Sequence, residues 1–599
     1  MSISWKAAET ASFQSFANCY LREIDGGKPV RHAILADHVD CIEWLLAEDR
    51  ISLRAEVTSA SLCGPQHFGR VWKRAASETA WHPTDPMSAL QSLMHEAYRT
   101  LRGSNSQDLQ GCETELLLRV MDSHQQISMH VEHAIADHNR DDDFIAAEQS
   151  LVFGHWLHPT PKSRQGMTFW QQETYAPEFH GQFQLHYFAA RNELIEHSSA
   201  AADPATTIID ALARQGSGSI SLKDGETLLP MHPLQAQALA LDPDIEALMR
   251  EGSLRSLGAA GAMFTATSSV RTVWSGQTDW MLKFSLPVRI TNSVRINRRN
   301  ELDAGVAMAK LVERRGLARE MPNFRIIKDP AFITLALPGA LPDRSESGFE
   351  TILRENPFRA DGGRGVVTLA ALTADPLPGE ASRLARLVGR IHATEGGGIA
   401  KIAATWFRRY LACAVEPLIQ LYDRYGLALE AHQQNSLIDI SQLYPRLGYY
   451  RDNQGFYLSE RHRPDIARTV PETETIGSLY FPEAEINDRF AYYLIVNQVF
   501  SVISRMAHDG LADEIDLIRI LRQTLEKLAL RLRGSGRDFV RHILDRSQIG
   551  TKANLATRLV DADELNSTSG HSLYRTMPNP LTLAEVVNPP QERPHAIAS

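Results

Sequence analysis

The chain has 599 residues, 43 % of them hydrophobic and 22 % charged, a globular composition that excludes a disordered, collagenous or coiled-coil protein. At roughly 150 residues per domain, the length corresponds to about four domain-sized pieces, with material for several cores. The formal net charge of −10 argues against a dedicated nucleic-acid binder, which would carry a basic excess, but leaves room for local basic sites that take a small anion.

Five cysteines (Cys19, Cys41, Cys63, Cys112 and Cys413) are too sparse for a disulfide framework. None pairs as C-x-x-C, which excludes a zinc ribbon or a thioredoxin-like motif. They read as buried small hydrophobes in a reducing compartment. The opening MSISWKAAETASFQSFANCYLRE has charges every few residues and lacks the apolar run of a secretory signal. Nowhere is there a run of about 18 apolar residues that could span a membrane. The expectation is a cytoplasmic protein.

Apolar residues spaced three and four apart predict helices over 11–21 and 87–101, with strand-like alternation over 51–63 between them. A long acidic and His-rich helix is expected from about 114 to 139, so that 1–150 is mostly helical. The stretch QGSGSISLKDGETLL (215–229) predicts a turn-laden strand pair. From 263 to 298 the residues are dense in β-branched and aromatic types, predicting two antiparallel strands joined at SGQTD. ADGGRG after Pro357 leads into a strand, and helices are expected from 382 to 425. The stretch 447–458 predicts a hairpin turning at Asp452, Asn453 and Gly455. The last hundred residues read as helical, followed by a Pro-rich loop from Pro578, and no internal repeat is visible.

Three constellations carry chemistry. In GHWLHPTPKSRQGM (154–167), Pro159 and Pro161 deny the segment a helix interior and predict a rigid loop. That loop gathers His155, His158, Lys162 and Arg164, the donors and positive charge that a polyphosphate or polycarboxylate needs. Zinc is disfavoured, because H-x-x-H here lacks further ligands at metal spacing. In TSSVRTVWSGQTDWMLKFSLPVRITNSVRINR, the residues Ser268, Ser269, Arg271 and Thr272 are expected on one strand, followed by Lys283, Thr291, Asn292 and Arg295. Positive side chains in such apolar runs either snorkel to solvent or meet an anion. No P-loop or dinucleotide-binding glycine motif is present. In EAHQQN (430–435) and RDNQG (451–455), Glu430, Asn435 and Asp452 offer the hard oxygens of a Mg²⁺ site of the kind found in kinase-like folds. Each constellation also has a plain structural reading: a solvated basic loop, a sheet with a charged outer face, or a cap and turn. The histidines of MHPLQAQ and IHATEGGG (231–237 and 391–398) fit structural roles.

Taken in order, Glu148 with GHWLHPTPKSRQG, MHPLQ, TSSVRT, LKFSLPVRITNSVR, EAHQQN, RDNQG and KANLATRL resemble the NRPS-independent siderophore synthetases of the IucA/IucC family. RFAYYLIVNQVFSVISR and MPNPL fit the end of that family's chain. One departure is GHWLHP, where the family more often has proline after the first histidine. The resemblance implies an α+β fold of cupped-hand form: a mostly helical thumb (1–150), fingers with an antiparallel sheet and the phosphate-binding strands (151–375), and a mostly helical, distantly kinase-like palm (376–599). It implies a homodimer that uses ATP and Mg²⁺ to adenylate a carboxylate, citrate first. An amine or hydroxyl then displaces AMP. By the family pattern His155, Lys162, Arg164, Ser268, Ser269, Arg271, Thr272, Lys283 and Gln434 would hold ATP. Glu430, Asn435 and Asp452 would hold the metal. His158, Thr291, Asn292, Arg295 and His432 would receive the carboxylate, with Lys283, Arg295, His158 and His432 acting in catalysis. Two alternatives stand beside this. One is a kinase-like phosphotransferase releasing ADP; the other is a synthetase using a preformed citryl monoamide or α-ketoglutarate.

Overall fold

The computed structural model describes residues 2–34, 37–47, 50–102, 109–137, 142–216, 220–337, 346–562 and 574–587. The chain opens with helix Ile3–Glu23, started by the Ser2 side chain, which accepts the Trp5 N–H. A five-stranded antiparallel meander follows, its strands neighbouring in chain order from Lys28–Ile34 to His82–Thr84. Helices Pro86–Arg102 and Gln110–Ala136 complete this part. Phe16, Trp44, Leu53, Leu90 and Tyr98 meet in its core. The sequence shows one of the five strands clearly. The others, such as HFGRVWKRA, alternate charged with apolar residues too irregularly for a period of two to stand out.

The centre is an eight-stranded sheet. Its spatial order is Ile195–Ser199, Ala331–Leu335, Thr351–Glu355, Trp280–Phe284, Thr272–Trp274, Leu254–Ala266, Phe183–Arg191 and Glu226–Met231. Thr272–Trp274 and Trp280–Phe284 pair antiparallel across SGQTD as expected, with Thr272 opposite Lys283. Three expectations change. Residues 263–275 are not one strand: Leu254–Ala266 ends before a tight turn, and that turn carries Ser268, Ser269 and Arg271. The second predicted strand also stops early, at Phe284. Pro287, which has no N–H to give a ladder, precedes a separate small hairpin, Arg289–Ile290 with Ser293–Val294, to which Arg164–Gln165 adds a third strand. The described part of 215–229 contributes to one strand, Glu226–Met231, which pairs with Phe183–Arg191 and not with a neighbour in sequence; residues 217–219 lie outside the described residues.

The C-terminal half packs helices Arg383–Glu395, Ile399–Ala414, Glu416–Tyr425, Phe500–His508, Glu514–Ala529 and Ser535–Asp545 around Trp406, Phe407, Tyr410, Phe490 and Phe539. The predicted hairpin at 447–458 is absent. Leu447–Tyr450 pairs with Ser436–Asp439 and Phe324–Ile326, whereas Phe456–Ser459 joins Leu427–Leu429 and Tyr480–Phe481. The RDNQG loop therefore bridges two sheets. The Tyr450 hydroxyl pins it, donating to the carbonyls of Asp452 (2.9 Å) and Gly455 (2.7 Å). Strands Gln548–Lys552 and Tyr574–Pro578 interrupt the helical end. Past Pro578, short helical turns Pro580–Thr582 and Ala584–Val587 replace the expected loop, and the tail beyond lies outside the described residues.

A late segment of the chain returns to the N-terminal part. Helix Asn554–Leu559 sends Leu555 and Leu559 into the N-terminal core. Glu23 accepts the Leu555 and Ala556 N–H groups at 3.1 and 2.8 Å. The five cysteines are free, four of them buried. Among the described residues no helix is long and apolar enough to cross a membrane.

Candidate active site

The turn between Leu254–Ala266 and Thr272–Trp274 is built from its own polar groups. Thr267 N–H and Oγ1 both donate to the Thr272 carbonyl, at 2.9 and 2.8 Å. The Thr272 N–H donates to Ser269 Oγ at 3.1 Å. Val270 is held at φ 66°, which a β-branched residue adopts only when its surroundings force it. From below, the fully buried Glu148 accepts the Ser268 N–H at 2.9 Å and its hydroxyl at 2.8 Å. The same carboxylate pairs with Arg451 at 2.9 Å, and Arg451 also donates to the Gln434 carbonyl at 2.8 Å. Gln434 Nε2 donates to Ser268 Oγ at 3.1 Å. Glu148 thus ties the TSSVRT turn, EAHQQN and RDNQG into one frame.

Lys283, on the strand opposite Thr272, donates to Asp452 Oδ1 at 2.7 Å and to Gln454 Oε1. Burial lowers the Lys283 ammonium from its ordinary value to about 8, against the pull of Asp452. Burial also works against the Asp452 carboxylate, yet Lys283 and Arg354 hold it well below the usual carboxylate range. Arg354 grips Asp329 bidentately at 2.6 and 2.8 Å and reaches Asp452 at 3.5 Å. Arg271 donates to Asn297 Oδ1 at 2.9 Å, and Asn297 in turn donates to the Lys283 carbonyl at 3.1 Å. Asp452, like Val270, has a positive φ, 84°. Lys283, Arg271, Arg354 and Arg451 stand here with Asp452, Asp329 and Glu148, and the Glu301 carboxylate acts on Arg271, so the wall is dense in charge of both signs.

In the GHWLHP loop the Thr160 N–H donates to His158 Nδ1 at 3.2 Å. That leaves the ring proton on Nε2, which faces Asn292 Oδ1 at 2.9 Å. Asn292 lies in the two-residue turn of the small hairpin beside Thr291, whose φ is 55°. Arg295 donates to Thr291 Oγ1 at 2.6 Å and to the Ile290 carbonyl at 2.7 Å. The four expected carboxylate ligands on these segments, His158, Thr291, Asn292 and Arg295, are therefore one connected group. Lys162 and Arg164 form a second, buried cluster on Glu178, at 2.5 and 2.6 Å. Burial raises the Glu178 carboxyl, but Arg164 and Lys162 outweigh it and hold the group far below its ordinary value.

The EAHQQN loop is braced by a nine-residue π-helix, Ala491–Val499, a distortion that recurs at functional sites. Its Asn497 accepts the Gln433 N–H at 3.1 Å and its side-chain nitrogen lies 2.8 Å from His155 Nε2. Burial lowers His155 to about 4 and His432 to about 3, so both rings are neutral at neutral pH. Glu430 accepts the Tyr457 hydroxyl. Asn435 Nδ2 donates to the Glu430 carbonyl at 3.3 Å. His232 of MHPLQ is fully buried among Tyr175, Phe183 and Phe284, a structural role.

Sequence reasoning gave no role to Glu148, Arg354, Asp329, Asn297, Asn497 and Arg451. Arg451 and Glu148 stand in or beside the quoted motifs. The rest carry no local signal, because their partners are tens or hundreds of residues away.

A mixed helix-and-sheet molecule whose strained loops bring buried lysine, arginine and carboxylate side chains together has the make-up of an enzyme that handles charged substrates. The model of the IucA / IucC family matches residues 143–374, and a second, described as ferric iron reductase FhuF-like transporter, matches residues 404–567. The chain is 35 % identical to the spermidine-citrate ligase of Bacillus anthracis over 96 % of this chain and 98 % of that one. It is 37 % identical to the rhizobactin siderophore biosynthesis protein RhbC of Rhizobium meliloti over 74 % and 76 %. Its fold superposes on ATP-bound aerobactin synthetase IucA from Klebsiella pneumoniae with TM-score 0.85 at 26 % identity, covering 96 % and 99 % of the two chains. The chain belongs to the IucA/IucC family.

Proposed function

We propose that this enzyme is a siderophore synthetase that adenylates citrate and condenses it with an amine. The observation that carries the reading is the frame of Ser268, Lys283, Arg451 and Asp452 in a chain that resembles a citrate ligase over nearly its whole length. A citrate carboxylate oxygen attacks the α-phosphorus of ATP, and the bond to pyrophosphate breaks. The amine nitrogen then bonds to the acyl carbon and AMP leaves; an ammonium nucleophile releases two protons to water in the process.

The first step joins two anions, so charge neutralisation dominates its barrier. Lys283 and Arg271 are placed to take phosphate charge, and the Ser268–Thr272 turn offers hydroxyls and backbone N–H groups. Gln434 borders that turn, donating to Ser268 Oγ at 3.1 Å; His155, Lys162 and Arg164 complete the expected nucleotide set, His155 held beside Asn497 and the two cations on Glu178. His158, Thr291, Asn292, Arg295 and His432 receive citrate. His158 presents a fixed tautomer, and Arg295 is pre-oriented by the Thr291 hydroxyl. Mg²⁺, when bound, supplies further charge neutralisation at the phosphates. Among the described residues no three His, Cys, Asp or Glu side chains gather for a metal. Mg²⁺ usually takes one or two protein carboxylates beside phosphates, and in this reading Glu430, Asn435 and Asp452 would supply the protein side.

We further read residues 1–150, 151–375 and 376–599 as thumb, fingers and palm of a cytoplasmic homodimer, the assembly the family resemblance implies; light scattering of the purified protein tests the dimer. The reaction is tested by carboxylate-dependent ATP–pyrophosphate exchange with citrate, α-ketoglutarate, succinate and no acid. A citrate-specific signal is expected, and it should vanish in Lys283→Ala and Arg295→Ala. Signal with α-ketoglutarate alone, or only with a citryl monoamide, reassigns the donor. ADP accumulation in place of AMP replaces the reading with a phosphotransferase.

A further inference from the structure

We propose that Asn554 is a positioning residue for the carboxylate half of the site: it completes a one-way circuit of hydrogen bonds that orients the Asn292 amide and fixes the tautomer of His158. The proposal rests on the synthetase reading and adds to it a residue outside the expected ligand set that acts on the donor acid through another side chain.

The circuit begins and ends on the backbone of one loop. The Thr160 N–H donates to His158 Nδ1 at 3.2 Å, so the neutral ring carries its proton on Nε2. That nitrogen faces Asn292 Oδ1 at 2.9 Å. Asn292 Nδ2 donates to Asn554 Oδ1 at 3.2 Å, and Asn554 Nδ2 donates to the Leu157 carbonyl at 2.5 Å. Both terminal groups allow one polarity only, since a backbone N–H can only donate and a carbonyl can only accept. An imidazole and two amides strung between such ends satisfy every bond in a single arrangement, which runs Thr160, His158, Asn292, Asn554, Leu157. His158, Asn292 and Asn554 are all buried, where a bond left unmade costs more than it does in water.

The surroundings hold Asn554 where the circuit needs it. An Asn side chain in the first turn of a helix ordinarily competes for that helix's own N–H groups. In helix Asn554–Leu559 the Glu23 carboxylate takes that task, accepting the Leu555 and Ala556 N–H groups at 3.1 and 2.8 Å and the Asn554 N–H as well. Further along the helix, Arg558 donates to Asp561 at 2.8 Å and reaches the Asn292 carbonyl at 3.5 Å. Arg119, on helix Gln110–Ala136, donates to the neighbouring Thr291 carbonyl at 3.4 Å. These contacts steady the backbone of the small hairpin's turn, and Asn554 orients a side chain on it. Without the Asn554 oxygen the Asn292 amide is free to turn over and present Nδ2 to His158. The ring would then face two donors, and a neutral imidazole has one acceptor nitrogen. One bond is lost, and the acid meets a His158–Asn292 pair of the wrong polarity.

The test uses the full-length enzyme and the acid that the wild type activates in ATP–pyrophosphate exchange, citrate being expected. Asn554→Ala removes the link; Asn554→Leu removes it and fills the space, which gives a second variant should the first melt early. In either, the KM for the acid should rise about tenfold while that for ATP stays within about twofold. The deciding readout is the coupling to Asn292. If Asn554 acts through that amide, Asn292→Ala combined with Asn554→Ala has the same KM for the acid as Asn292→Ala alone. Where exchange in a variant is too slow to give a KM, the dissociation constant of the acid, measured by calorimetry in the presence of α,β-methylene-ATP, carries the same comparison. Equal rises in both KM values would make Asn554 a merely structural residue and overturn the proposal, as would a lower thermal midpoint with both KM values unchanged. Single effects that multiply in the double variant would overturn it too, because Asn554 would then act independently of Asn292. Absence of exchange with every acid in the wild-type enzyme would instead refute the synthetase reading itself.

Discussion

Val270, Thr291 and Asp452 hold φ values of 66°, 55° and 84°, and they sit in three of the loops that carry the candidate site. Left-handed backbone costs a β-branched residue about 1–3 kcal/mol and persists only where the surroundings over-determine it. Glu148 is one such determinant, because it fixes Ser268 and Arg451 together from beneath. Glu148→Gln keeps the shape but removes the charge that balances the buried Arg451. Breaking a buried ion pair costs about 3–5 kcal/mol, so the thermal midpoint should drop, and the KM for ATP should rise more than that for citrate in pyrophosphate exchange. Equal effects on both KM values would show that the frame does not belong to the nucleotide. The charged residues of this cleft were legible because they fall in compact motifs. Glu148 was legible only as part of a resemblance, and Asn497 and Asp329 not at all: each acts by holding another side chain.

At the level of elements, the helices between 383 and 425 and the Thr272–Trp274/Trp280–Phe284 pair followed from periodicity, as did the long helix near 114–139. The hairpin at 447–458 did not form because strand pairing is decided by tertiary context: each strand found its partners elsewhere, on two different sheets. Gly448 shows how tight that context is. A Cβ built there would lie 2.2 Å from the Cys413 carbonyl oxygen on helix Ile399–Ala414. Gly448→Ala should therefore destabilise the fold by about 1–3 kcal/mol, the usual cost of overpacking, read as a lower denaturation midpoint. The π-helix allows a parallel experiment. Asn497→Ala removes the contacts to Gln433 and His155; the exchange rate should fall while the circular dichroism spectrum is unchanged.

At the scale of the molecule, the N-terminal and C-terminal parts are joined through titratable groups. His67, from strand His67–Ala75, stacks on His508 at 3.7 Å. Burial lowers His67 to about 4; Asp375 pulls the other way, and His508 and Arg505 add to the lowering. Gln14 also faces the ring, at 3.4 Å. A histidine whose folded value lies below its ordinary 6.5 is protonated more readily in the unfolded chain, so its share of stability is complete above about pH 6.5 and is lost as the pH falls toward about 4. The thermal midpoint should decline across that window, and His67→Gln should decline less. A profile with the same slope in the variant would assign the acid sensitivity to His130, His155 and His432, each lowered by burial.

The return of helix Asn554–Leu559 to the first core has a consequence for how the chain is made. Glu23 waits for partners 532 residues downstream, which at about 5–20 residues per second is a delay of roughly 25–110 s on the ribosome. Until then Leu555 and Leu559 leave a gap beside Phe16 and Tyr98, and the first part to emerge is the last to be sealed. A chain stopped at residue 553 should thus fail first at its beginning, with proteolysis entering near helix Ile3–Glu23 before the distal helical core is touched.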